Sequence, residues 1–232
     1  MSFSLPDNVT DLPDWRDMAP VFEDRADAGR KLAEMLEGEL SDRAKVLAIP
    51  AGGVPVAAEL ADRLGLAMDV AVVSKITLPW NTEAGCGAVA FDGSVRINES
   101  LVRQVGLGQA ELDRQIDRTR DKVRRREKRF RGRLGPALEA GDEAILVDDG
   151  LASGFTMMLA VEAVRGLRPS TVRIAVPTGH LHSVRGVSEL CDHLICANVR
   201  AGYSFAVASA YQHWHDVSED EAMRLFRHAR SR

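Results

Sequence analysis

Short apolar runs alternate with stretches of helical spacing along most of the chain. From Asp24, in N-cap position, Ala28, Leu32, Met35, Leu36 and Leu40 recur on one helical face. Val46 to Ile49 is an apolar run that ends at Pro50-Ala51-Gly52-Gly53, after which helical spacing resumes from Val54 to Leu64 and stops at Gly65. That order predicts strand, glycine-bearing turn, helix. Val70 to Val73 predicts a second buried strand, and Lys75 to Gly87, with Pro79, Trp80 and Asn81, reads as irregular. Gly87 to Phe91 and Val95 to Asn98 flank Asp92-Gly93, a dipeptide that favours a hairpin turn. A long helix is expected from about Gln109 to Arg133, closed off by Pro136 and Gly141. The apolar runs Ala144–Val147, Val172–Val176 and Leu194–Ala197 are then separated by helical patterns over Phe155–Leu167 and Leu181–Leu190.

Strands alternating with helices predict an α/β fold, a Rossmann-like and mostly parallel sheet with helices on both faces. A small hood, made from the termini, is expected over the carboxyl edge. Residues 1–20 are turn-rich and polar and read as an arm over the domain, and 200–232 as the C-terminal hood and helix. With 232 residues, 45% hydrophobic and 28% charged, the chain is large enough for one substantial core in a single domain. A net charge of -4 gives no overall reason to expect nucleic acid or an anionic membrane as partner. The start, Met1 to Asp14, lacks the features of an export signal, and no apolar stretch approaches the roughly 20 residues needed to span a bilayer. A soluble, cytoplasmic protein is expected. Cys86, Cys191 and Cys196 are too few and scattered for a disulfide framework.

In a parallel α/β sheet, ligands collect beyond the carboxyl ends of the strands. The run Ala144–Val147 is followed there by Asp148-Asp149 and then by Gly150-Leu151-Ala152-Ser153-Gly154-Phe155-Thr156, which leads into a helix. Small residues let backbone N–H groups converge on an anion, the helix N-terminus adds a favourable dipole, and Ser153 and Thr156 add hydroxyls. Two carboxylates at the rim of such a cradle would repel a phosphate unless they take sugar hydroxyls or a hard cation such as magnesium. Together the acids and the loop suit a sugar phosphate lying lengthwise.

The stretch Ala144-Ile-Leu-Val-Asp-Asp-Gly-Leu-Ala-Ser-Gly-Phe-Thr156 resembles the thirteen-residue phosphoribosyl pyrophosphate motif of the type I phosphoribosyltransferases. The resemblance implies that Asp148 and Asp149 hold the ribose hydroxyls, with Mg2+, and that the following loop, Gly150 and Leu151 included, binds phosphoribosyl pyrophosphate. Ala152, Ser153, Gly154, Phe155 and Thr156 then grip the 5-phosphate, Ser153 standing for the commoner Thr. Pro50-Ala51-Gly52-Gly53 resembles the family's pyrophosphate loop, although Arg or Lys usually stands where Ala51 does. Lys75 to Val89 resembles its flexible catalytic loop, which assigns Lys75 to the charge of the leaving pyrophosphate, Glu83 to loop support or metal, and Trp80 to acceptor stacking or loop anchoring. The resemblance runs from Phe22–Gly29 to Tyr203–Phe226. It implies transfer of ribose 5-phosphate to a nitrogenous small-molecule acceptor. A non-catalytic regulator that binds phosphoribosyl pyrophosphate or a nucleotide remains the rival reading, because Ala51 removes one diphosphate contact.

Two further features compete for attention. The helix from Arg114 to Arg133 is dense in Arg and Lys, yet Leu112, Ile116, Val123 and Phe130 make a narrow apolar stripe, and Asp121 can pair with Arg125 and Glu127 with Arg131. A solvated helix seated on the domain or on a second subunit explains this more simply than RNA binding. The pairs His180/His182 and His213/His215 lack zinc-type cysteine spacing, and His180, following a strand, is placed to line the acceptor pocket.

Overall fold

Asp24 does cap the first helix, its carboxylate accepting from the N–H of Asp27 at 2.8 Å, and the remaining elements follow the alternation of the sequence closely. The computed structural model describes residues 3–132 and 135–230, with backbone alone at 82–84. The elements are β1 (Val9–Thr10), α1 (Arg25–Leu36), β2 (Ala44–Ala48), α2 (Gly53–Leu64), β3 (Ala67–Val70), β4 (Val73–Leu78), β5 (Asn81–Ala90), β6 (Val95–Ile97), α3 (Glu99–Gln104), α4 (Gln109–Arg131), β7 (Glu143–Val147), α5 (Phe155–Arg165), β8 (Thr171–His180), α6 (Leu181–Ser188), β9 (His193–Arg200) and α7 (Glu219–Arg230). Six of the strands form one parallel sheet in the order β1-β9-β8-β7-β2-β3. Its central strands are buried on both faces, as parallel strands under helices must be: Val46, Leu47, Ile145, Leu146, Ile174 and Leu194 are all inaccessible to solvent.

The second sheet, β4-β5-β6, is antiparallel and forms the hood. It comes from the middle of the chain, whereas the hood was expected from the termini. The stretch Lys75–Gly87, expected to be irregular, is most of its first hairpin. Val73 to Leu78 alternate well enough to pair, and Pro79-Trp80 make the turn. The irregularity survives as register shifts on either side of Thr77. The single strand expected over Val70–Val73 is split, because the N–H of Ala71 bonds the carbonyl of Ala48 and the chain then leaves the parallel sheet. The terminal segments pack on the main body: β1 extends the sheet beside β9, and α7 lies against α2, β3 and α4.

The long helix α4 ends at Arg131 with Gly132 in a left-handed cap, and Arg133, included in the expected helix, lies outside the described residues. Its inner face carries more than an apolar stripe. Glu127 is wholly buried and paired with Arg131, which also faces Asp69 at 3.6 Å; the second Glu127 oxygen accepts from the N–H of Gly135 at 2.7 Å. The Glu127–Arg131 pair is therefore internal, and Asp121 faces Arg124, at 3.9 Å, in place of the expected Arg125. Burial pushes the Glu127 carboxyl above its ordinary range, and the Arg131 charge opposes that shift.

Removing one member of a buried ion pair leaves the other uncompensated. Arg131→Met, which keeps the volume and deletes the charge, is expected to lower the unfolding free energy by about 3–5 kcal/mol, read from urea unfolding followed by circular dichroism. A loss under about 1 kcal/mol would show that the pair is not a stabilising contact.

Candidate functional site

The site begins with the register of two neighbouring strands. β2 and β7 pair with Ala48 opposite Val147, so the turns that follow them lie side by side at the carboxyl edge. Their packing leaves no room for side chains at the first turn. A Cβ on Gly52 would lie 2.1 Å from Asp149 Oδ2, and one on Gly53 would lie 2.6 Å from the carbonyl of Val147 and 2.8 Å from Asp148 Cα. The Pro50–Ala51 peptide bond is cis, and Ala51 is half-buried.

Asp149 is held from several sides. Arg25, at the start of α1 and 6% exposed, directs Nε and Nη2 onto Asp149 Oδ2 at 3.0 and 2.9 Å, while its Nη1 donates to the carbonyl of His215 at 2.9 Å. The guanidinium carbon sits 3.8 Å from the ring centre of Trp214, and the hydroxyl of Tyr211 donates to the Asp149 carbonyl at 2.6 Å. Asp148 Oδ1 accepts from the N–H of Asp149 at 2.9 Å.

The loop beyond the acids is stitched to β8. Leu151 donates to the carbonyl of Thr178 at 2.9 Å, and His180 donates its N–H to the Leu151 carbonyl at 3.0 Å. The Ser183 hydroxyl, on α6, donates to the carbonyl of Ala152. Gly154 adopts φ 77°, a left-handed conformation that favours glycine, and starts α5. Ala152 and Ser153 stay exposed. Gly150 through Met157, with Asp148, line a cleft of about 340 Å³ whose opposite wall is Lys75, Gly85 and Gly87 of the hood. A Cβ on Gly85 would lie 2.4 Å from Cγ and Cδ of Lys75, so any larger residue there would displace the lysine side chain.

The comparisons with known proteins agree with this architecture. A family model described as a phosphoribosyl transferase domain matches residues 89–210. The chain is 36% identical over 204 residues to "Putative phosphoribosyl transferase" of Mycobacterium tuberculosis, found in two strains, covering 88% of this chain. The chain spans about half the length, 46%, of those curated relatives. The crystal structure of TT1426 from Thermus thermophilus is similar at 32% identity and TM-score 0.69, over 88% of this chain and 97% of that one. This chain belongs to the type I phosphoribosyltransferase family.

Set on this phosphoribosyltransferase fold, the expected site residues divide into two groups. Lys75, Asp148 and the loop from Gly150 to Thr156 share the cleft, and Gly52, Gly53 and Asp149 adjoin it through contacts between the two turns. Trp80 stands 61% exposed at the hairpin turn and lines no part of that cleft; the side chain of Glu83 lies outside the described residues. His180 is at the carboxyl end of β8, where its Nδ1 accepts from the N–H of His182 at 3.3 Å and its ring meets the edge of Phe205. His215 pairs with Glu221 at 3.0 Å, and among the described residues no group of three His, Cys, Asp or Glu side chains is placed to hold a metal. The three thiols are buried and free, and burial raises the Cys191 thiol to about 12. No helix among the described residues is long and apolar enough to cross a membrane.

Arg25, Tyr211 and Trp214 were assigned no role from sequence. The segments that contain them resembled the family, but nothing local tied them to Asp149, 124 residues beyond Arg25 and 62 before Tyr211. Electrostatically the two acids differ. Burial, then the charge of Asp149, pushes Asp148 well above the carboxylate range; burial raises Asp149 as well, but Arg25 opposes it. An acid whose folded pKa is raised costs stability as pH climbs from the unfolded value through the folded one, and the cost is complete above both.

Asp148→Asn is therefore expected to raise Tm at pH 8 by about 2–4 °C, the shift that ~1 kcal/mol gives a chain of this size, with the gain shrinking toward pH 4. Asp149→Asn, which deprives buried Arg25 of its carboxylate, is expected to lower Tm. Differential scanning calorimetry of both variants across pH checks this; a fall in Tm for the first variant, or a rise for the second, would overturn the assignment of the cost to Asp148.

Proposed function

We propose that this protein transfers ribose 5-phosphate from phosphoribosyl pyrophosphate to a nitrogenous acceptor, with release of pyrophosphate and dependence on Mg2+. The observation that carries the reading is the cleft in which Asp148 and the Gly150–Thr156 loop face Lys75 of the hood. An anion cradle, a carboxylate and a cation in one recess match the three parts of an activated sugar phosphate.

In this reading the backbone amides from Ala152 to Thr156, the Ser153 and Thr156 hydroxyls and the N-terminus of α5 take the 5-phosphate. The turn at Ala51, Gly52 and Gly53 brings its amides to the diphosphate. The acids receive the sugar hydroxyls, and their free oxygens suit magnesium, which takes one or two carboxylates and fills its shell with water and phosphate oxygens. When bound, the ion supplies charge neutralisation for the diphosphate. Lys75 adds a positive charge where pyrophosphate gains negative charge in leaving, the kind of interaction that strengthens in the transition state. No protein nucleophile is needed, because the gain comes from holding donor and acceptor in line.

The acceptor is narrowed by one residue. Hypoxanthine-guanine transferases carry a proton-handling Asp where Ala152 stands, and a methyl group offers no acid–base help. Weak or absent turnover with hypoxanthine and guanine is expected, and efficient pyrophosphate release with either would contradict it. A second reading, a non-catalytic regulator that binds the same ligand, is favoured by Ala51 alone, whose side chain supplies no charge to the diphosphate.

The two are separated by pyrophosphate release across a panel of bases with Mg2+, beside thermal shift with phosphoribosyl pyrophosphate. The enzyme reading expects turnover with at least one base, and Lys75→Ala should lower kcat about 10²–10³-fold with the ligand-induced shift largely kept. Stabilisation without turnover on any base would favour the regulator. Stabilisation that survives Asp148→Asn combined with Asp149→Asn would remove the proposed site from either.

A further inference from the structure

The pair Arg25–Asp149 has a geometry that ordinary ion pairing does not require. Both guanidinium contacts, from Nε and Nη2, fall on the same oxygen, Oδ2, which also abuts Gly52. Neither contact from Arg25 falls on Oδ1. The guanidinium is itself immobilised on its other sides, by the His215 carbonyl and by Trp214 stacked at 3.8 Å. A side chain that is 6% exposed and clamped in this way has little freedom to swing. We infer that Arg25 is a positioning residue: it fixes Asp149 by one oxygen, so that the other is presented to a hydroxyl of the bound pentose. The inference rests on the proposed ribose-binding role of the acid pair and adds to it a cause for the orientation.

The alternative geometry-based role is a latch, in which Arg25 sequesters Asp149 and the ligand must displace it. The two predict opposite effects. Positioning means that losing Arg25 weakens binding through the sugar hydroxyl alone; a latch means that losing Arg25 strengthens it. The contacts of Arg25 with Trp214 and His215 favour positioning, because a latch needs somewhere to go.

The test compares ribose 5-phosphate with 2-deoxyribose 5-phosphate, which differ by one hydroxyl of the diol, in calorimetric titrations of the full chain without metal. The wild type is expected to bind the ribose compound about tenfold more tightly, as a hydrogen bond to a charged acceptor gives. In Arg25→Gln that preference should fall toward one while the affinity for the deoxy compound is unchanged. Arg25→Lys, which keeps charge and most of the stem but only a single point of contact, should keep an intermediate preference, and it serves if the Gln variant does not fold. Guanidinium ion added to Arg25→Gly at millimolar concentration should restore the preference, with sodium at equal ionic strength as control. Undiminished preference in a folded Arg25 variant, or tighter ribose 5-phosphate binding, overturns the inference. A wild type that binds neither compound, or does not distinguish them, removes the ribose site itself and this inference with it.

Discussion

The pairing of β2 with β7 is the constraint from which the rest follows. Because Ala48 lies opposite Val147, two turns from distant parts of the chain reach the carboxyl edge at one level and close to contact distance. Glycine at 52 and 53 is the consequence, since any larger residue would occupy the space of Asp149 or of the Asp148 backbone. What brings the turns together is ordinary strand pairing between buried aliphatic runs. What that pairing positions is a pair of charged groups that the same burial makes costly. The site is thus stabilised by its surroundings and not by itself, as is common where function requires groups that the fold would otherwise exclude.

Much of this was readable in the sequence wherever the signal is local. The acid pair, the glycine-bearing loop and the helix behind it are contiguous, so the chemistry of Asp148 to Thr156 could be argued from residue type and order. The order of strands and helices was readable for the same reason. The hairpin of β4 and β5 was not, because Gly85, Gly87, Pro79 and Asn81 interrupt the period-two pattern that Val73 to Leu78 begin. α3 was missed because six residues are under two turns, although Asn98 caps it through its side chain, accepting from Leu101 at 3.0 Å. Arg25 was opaque for a different reason. On its helix it is one more charged residue near the N-terminus, and its partner is settled only when α1, β7 and the Tyr211–His215 segment have been brought together.

The basic character of α4 changes meaning once its surroundings are known. Arg126 meets Glu219 at 2.7 Å and the hydroxyl of Ser74 at 3.2 Å, and Arg129 spans Glu219 and Asp220 at 2.6 Å each. Those acids open α7, where negative charge also suits the helix dipole. Part of the apparent surplus of Arg and Lys is therefore engaged inside the molecule, tying the last helix to the hood. Arg118, Lys122, Arg125 and Lys128 remain exposed, too few and too solvated to argue for a polyanionic partner.

Asp149 draws its supports from both halves of the chain, one residue near the beginning and others close to the end. Arg25 reaches the acid directly, Tyr211 through its backbone carbonyl, and Trp214 and the His215 carbonyl only by way of the guanidinium. A substitution in either supporting segment can therefore disturb Asp149 while leaving every residue of the glycine loop unchanged, so effects of such substitutions on the turn should be coupled and not additive.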